Sequence, residues 1–170
     1  MKSGRIALFL CLFITLAALP VQAQQAPEAS RQVPETRLFQ VVVLVGDMDK
    51  GGIDASVPAN SRQAVEDIAQ FLPYSSYKLV DTALIRSAKE GQAMMSGPQN
   101  QDYLVALHHY KGASGDKIFV REFQLLDRSN DDRMLIRTSF EVSLRETIVV
   151  GSSKLDGGGK ALVVLFTAVQ

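Results

Sequence analysis

The sequence has no tryptophan, one cysteine and two histidines in 170 residues, and its 18 lysines and arginines balance 18 aspartates and glutamates. Each scarcity excludes something. The one cysteine, Cys11, lies in the apolar N-terminal stretch, so the rest of the chain can form no disulfide. Zero net charge excludes a broad basic surface and, with it, charge-driven binding of nucleic acid. No Asn-x-Ser/Thr acceptor occurs: Asn60, Asn100 and Asn130 are followed two residues later by Arg62, Asp102 and Asp132. What the chain does have is 46% hydrophobic against 21% charged residues, enough for a packed core and too apolar for wholesale disorder. Its length suits one domain.

The N-terminus reads as a secretory signal peptide, residues 1–23. Lys2 and Arg5 give a positive start, Ile6–Leu19 is an apolar run of 14 residues, and Pro20 and Val21-Gln22-Ala23 form the cleavage region. That run falls short of the roughly 20 residues a membrane-spanning helix needs. Apolar residues continue past Cys11, and Leu10 precedes it, which argues against a lipid anchor there. Cleavage would remove Lys2 and Arg5, leaving 16 basic and 18 acidic residues, no cysteine and no stable membrane span. These features point to a bacterial envelope, periplasmic or secreted. Residues 24–36 carry Pro27 and Pro34 without apolar period and read as a flexible leader to a single domain, residues 37–170.

That domain reads as α+β: a mostly antiparallel sheet of about eight strands with one main helix near 61–72. Leu38–Val45 is apolar on both alternating faces, the pattern of a strand buried between two layers. Asn60 is placed to cap the helix, with Gln63 answering it, and Ala64, Val65, Ile68, Ala69, Phe71 and Leu72 form its apolar stripe up to Pro73. Period-two segments follow at Tyr77–Ser87 and, more briefly, Gly91–Ser96. A C-terminal meander of hairpins then runs through Tyr103–Lys111, Lys117–Asp127, Arg133–Leu144, Thr147–Ser153 and Ala161–Val169. In the third of these, Met134, Ile136, Phe140 and Val142 fall on one face. The last strand is apolar on both faces and should be central, and the helix should cover the side where the first and last strands lie.

The motifs that suggest chemistry each miss a requirement. Gly157-Gly158-Gly159-Lys160 lacks the leading glycine and the following Ser or Thr of a phosphate loop and sits between strands. Asp47-Met48-Asp49-Lys50-Gly51-Gly52-Ile53-Asp54 begins like a calcium loop, but Gly51 and Pro58 occupy the fifth and twelfth positions. His108 and His109 are neighbours on a strand and point to opposite faces, so they cannot share a metal. Glu122 and Glu141 would suit a carboxylate pair, but Arg121 and Arg137 are available as cross-strand partners. No G-x-S-x-G sequence occurs. The expectation is therefore no catalytic residue, no cofactor and no metal ligand: not an enzyme.

Glu146-Thr147-Ile148-Val149-Val150-Gly151, followed by Ala161-Leu162-Val163-Val164-Leu165-Phe166-Thr167, resembles the late strands of the outer-membrane secretin core domain. Those proteins carry a Glu-Thr-Val-Val-Leu-Gly-type strand and an apolar closing strand. The long gate and lip segment has no counterpart here, so the resemblance implies a relation to β-domains of envelope secretion machinery rather than a pore. The function expected is protein–protein contact, with an envelope protein or by self-association, through a strand edge. The short Gly91–Ser96 segment, with Met94 and Met95, is the candidate edge. The alternative is a small-ligand-binding β-rich periplasmic domain, with the loop 47–54 and the start of the helix as its mouth.

Overall fold

The computed structural model describes residues 35–49, 51–112, 114–155 and 159–169. The expected signal peptide, almost all of the leader, Cys11, Gly157 and Gly158 lie outside the described residues. Eight strands and one helix follow in order: β1 Arg37–Asp47, α1 Ala59–Ala69, β2 Ser76–Ser87, β3 Glu90–Ser96, β4 Asp102–Lys111, β5 Lys117–Asp127, β6 Arg133–Ser143, β7 Thr147–Lys154 and β8 Lys160–Ala168. The chain is strand-dominated, as its period-two patterning predicts. Among the described residues no helix is long and apolar enough to cross a membrane.

One open sheet is not what forms. The strands divide into two four-stranded sheets, ordered β2-β1-β8-β7 and β3-β4-β5-β6. All strand pairs are antiparallel, and β8 returns to pair with β1 from Phe39–Ala168 to Asp47–Lys160, so the meander closes on itself. The cause is in the sequence of β1 and β8. Both are apolar on both faces, so both belong in a sheet interior with a neighbour on each side and a layer above and below.

Those layers are visible in the burial. Phe39, Val41 and Val43 of β1 face the second sheet, where they meet Val105, Leu107 and Phe123. The alternate residues Val42 and Leu44, with Val163 and Leu165 of β8, face the helix and pack with Val57, Val65 and Tyr77. The order is helix, sheet, sheet. Aromatic rings fill the space between the sheets: Phe166 stands 5.2 Å from Phe39, 5.2 Å from Phe140 and 5.9 Å from Phe123, ring centre to ring centre.

The two seams between the sheets each depend on a glycine. At Gly91 of β3 an added Cβ would lie 2.5 Å from the Cγ2 of Ile85 on β2. At Gly151 of β7 it would lie 3.2 Å from the Cγ2 of Ile136 on β6. Hydrogen as a side chain lets the strands close in where a methyl group would hold them apart.

The helix starts and stops earlier than its pattern predicts. Pro58 occupies the cap position and no side chain caps the helix. Asn60 instead turns its amide toward the sheet and donates to the Oε1 of Gln40 and the Oγ1 atoms of Thr147 and Thr167, at 3.1, 3.3 and 3.2 Å. It fastens α1 to β1, β7 and β8, and its partners explain why it is not a cap. At the other end the amides of Phe71 and Leu72 bond the carbonyls three residues back, a tightened last turn. That rotation leaves Phe71 78% exposed and off the stripe it was expected to join.

Candidate functional site

The first sheet is covered on both faces. Among the described residues the second is covered on one only, and its outer face is left free of the fold's own layers. Strand register arranges that face in rows. Met94, Leu104, Leu126 and Met134 stand opposite one another across β3, β4, β5 and β6, an apolar row crossing all four strands. Gln92, Ala106, Gln124 and Arg137 make the next row. Glu90, His108 and Glu122 make a third, charged row.

Met134 reaches this face by a backbone irregularity. Leu125 opposes Ile136 but Leu126 opposes Met134, so Leu135 is an extra residue and the alternation shifts there. Strict alternation puts Met134 on one face with Ile136, Phe140 and Val142. It is 42% exposed while Ile136 and Val142 are buried and Phe140 is half-buried. A second irregularity places Arg121 and Glu122 together between Val120 and Phe123 of β5.

The polar rows are knitted by that second bulge. Arg137 Nη2 lies 2.6 Å from Glu122 Oε1, and the Gln124 amide donates to the same oxygen at 2.7 Å. The Gln124 bond, with Arg137 behind it, holds the Glu122 carboxyl below the usual carboxylate range. Glu141 is taken by Lys117 at 2.7 Å. The two glutamates are thus each engaged by a separate cation, an arrangement that stabilises a sheet. His108 packs at 4.7 Å on Tyr110, and its Nε2 stands 3.8 Å from Glu90, too far for a hydrogen bond. A shallow depression of about 570 Å³ opens here, between His108, Gln92 and Glu122, over the small residues Gly91 and Ala106.

The histidines do part, as strand geometry requires. His109 is buried between the sheets against Phe39, with its Nε2 3.2 Å from the Oγ of Ser87. Burial pushes its imidazole below the ordinary value, with the charges of Arg37 and His108 adding to the effect, while hydrogen bonding at Ser87 opposes it. Unfolded, the ring takes a proton near pH 6.5. Folded, it resists until lower pH, so the contribution of neutral His109 is intact above about 6.5 and is lost as pH falls below that value. Urea midpoints should drop between pH 7.5 and 5.5, and His109→Gln should flatten that drop. An unchanged slope in the variant would overturn the assignment.

Met94 and Met95 fall on the terminal strand of the second sheet, the expected edge. They are not equivalent: Met94 is 58% exposed on the outer face, and Met95 is 3% exposed in the core. The strand is also not a bare edge. Asp81 of β2 accepts a hydrogen bond from the amide of Ser96 at 2.7 Å, and β2 lies alongside. Two carboxylates of the acidic loop are engaged: Asp47 accepts from the amide of Asp49 and pairs with Lys160 at 3.0 Å, and Asp54 accepts from the amide and hydroxyl of Ser56. Among the described residues no group of three or more His, Cys, Asp and Glu side chains gathers as a metal site.

Sequence reasoning missed the apolar row. Its signal was present in β4, where Leu104 and Ala106 make the outward phase apolar as well, but the row exists only once register sets four strands side by side. Comparison of the chain with family models, with curated proteins and with solved structures found no match.

Proposed function

We propose that this is an exported, non-enzymatic envelope domain that acts by protein–protein contact. The contact surface is the outer face of the β3–β6 sheet. The observation that carries the reading is the row Met94, Leu104, Leu126 and Met134, apolar side chains across a face that no layer among the described residues covers. A strip of this kind, bordered by engaged polar side chains, is suited to a protein surface rather than to a reacting small molecule. The partner is another envelope protein, and the resemblance of residues 146–167 to secretin strands makes secretion machinery the first place to look, as an accessory or assembly component.

Export itself has a direct test: the mature N-terminus is Gln24, read by intact mass of material from the envelope fraction. Recovery of the uncleaved chain from the cytoplasm would overturn it. The contact is tested with a photocrosslinking residue at Met94 and, as an exposed apolar control, at Phe71. Position 94 should give a discrete adduct in envelope extracts that excess unlabelled domain competes away. Adding Met134→Lys on the same face should reduce that adduct about tenfold, the effect of losing roughly 1.4 kcal/mol of contact. Equal labelling at 71 and 94, or no effect of the Met134 change, would sink the reading. An adduct with a second copy of the chain would replace the envelope partner by self-association.

A further inference from the structure

A different part of the molecule, one end of the sandwich, holds a cleft between the sheets. The inward-facing rows between the sheets are apolar along most of their length and turn polar at one end. In the first sheet Lys78 stands opposite Val45, which stands opposite Leu162, and beyond them Asp47 opposes Lys160. In the second sheet Met95, Tyr103, Asp127 and Arg133 form the last row. Leu162, Met95 and Tyr103 belong to the core between the sheets, so their row-mates address the same space. There the sheets part around a cleft of about 450 Å³, within the range of small-molecule sites.

The cleft has two kinds of wall. Lys78, Arg133 and Lys160 come to it from three different strands, β2, β6 and β8. One carboxylate, Asp127, lines the cleft with them, and a second, Asp47, pairs with Lys160. Lys160 is 3.0 Å from Asp47, but Arg133 is 3.8 Å from Asp127, beyond hydrogen-bond reach. Asp127 already accepts from the amide of Ser129. Lys78 has no carboxylate within 4.0 Å among the described residues. The surplus is positive. Tyr103, 1% exposed, brings a hydroxyl to the same cleft, and burial keeps it protonated and able to donate. The rest of the lining is mixed: Val45, Leu79, Val80, Pro98 and Leu155 make its apolar part, and Gln99 and Gln101 add two neutral amides.

We propose that this cleft binds a small amphiphilic anion. Its carboxylate or phosphate is held by Lys78 and Arg133 with a hydrogen bond from Tyr103, and its short alkyl body lies along Val45, Val80 and Leu155. The site is at the end of the sandwich, remote in register from the charged row of Glu90 and His108, and does not depend on the protein-contact reading.

The test uses the full mature chain, titrated calorimetrically with octanoate, octyl phosphate, inorganic phosphate and octyltrimethylammonium. Both octyl anions should bind one to one and raise the melting temperature. Preference between them tells a carboxylate ligand from a phosphate ligand. The double variant Lys78→Gln, Arg133→Gln should bind at least tenfold more weakly with an unliganded melting temperature close to the parent's. Met94→Lys should bind as the parent does. The proposal is overturned if neither octyl anion saturates, if the cationic octyl probe binds equally well, if inorganic phosphate alone matches octyl phosphate, or if the double variant keeps its affinity.

Discussion

Replacing Phe166 by alanine should lower the free energy of unfolding by about 3–5 kcal/mol, the cost of deleting a fully buried aromatic ring and leaving a cavity. Phe166 is 0% exposed and sits at the centre of the inter-sheet cluster, in contact range of Phe39, Phe123 and Phe140. Two of those contacts are near-perpendicular, at 86° and 70°, the edge-to-face arrangement that adds to area burial. The ring also joins two strands that are distant in sequence. Phe39 and Phe166 lie on β1 and β8, whose pairing closes the meander, while Phe123 and Phe140 lie on the opposing sheet. Loss of the ring therefore loosens sheet closure and sheet stacking together. Phe166→Leu keeps most of the volume and should cost well under half as much. Urea unfolding of both variants decides it. An alanine cost below about 1 kcal/mol would mean that the inter-sheet core is not packed as described.

The two strands that meet at Phe166 show what the sequence made legible and what it did not. Runs such as Val41-Val42-Val43-Leu44 and Val163-Val164-Leu165-Phe166 declare burial on both faces by composition alone. The hairpin turns punctuate the chain clearly enough that β5 was expected with the bounds it has. Period-two patterning is local, however, and closure is not. Nothing within β1 or β8 states that each is the other's neighbour, and nothing in a run of hairpins states where one sheet ends and the next begins. The seams at Gly91 and Gly151 look like weak strand positions until the opposing Ile85 and Ile136 are in place. Asn60 looked like a cap because capping is a local property, and its actual partners are 20, 87 and 107 residues away. The candidate surface was missed for the same reason. Its row draws one residue from each of four strands, and Met134 reaches it only through the extra residue Leu135.

The neighbouring methionines of β3 give the second large effect, because one strand position reverses the environment. Met95→Lys should destabilise the domain by about 3–5 kcal/mol, and Met94→Lys by no more than about 0.5 kcal/mol. Met95 is 3% exposed and packs in the core between the sheets, beside Tyr103 in the pairing of β3 with β4. A lysine there must bury its ammonium, give up its charge, or push the edge strand away from β4. Met94, opposite Leu104 on the outer face, is 58% exposed, and a lysine there keeps its ammonium in water. A lysine on the terminal strand of a sheet is also a common guard against unwanted pairing. The folded Met94→Lys protein is therefore the clean instrument for the contact surface, and a binding defect in Met95→Lys would report only unfolding. Parallel urea titrations settle the contrast. Equal stability of the two variants would show that the face assignment of β3 is inverted or that the strand is not docked, and the apolar row would lose its first member.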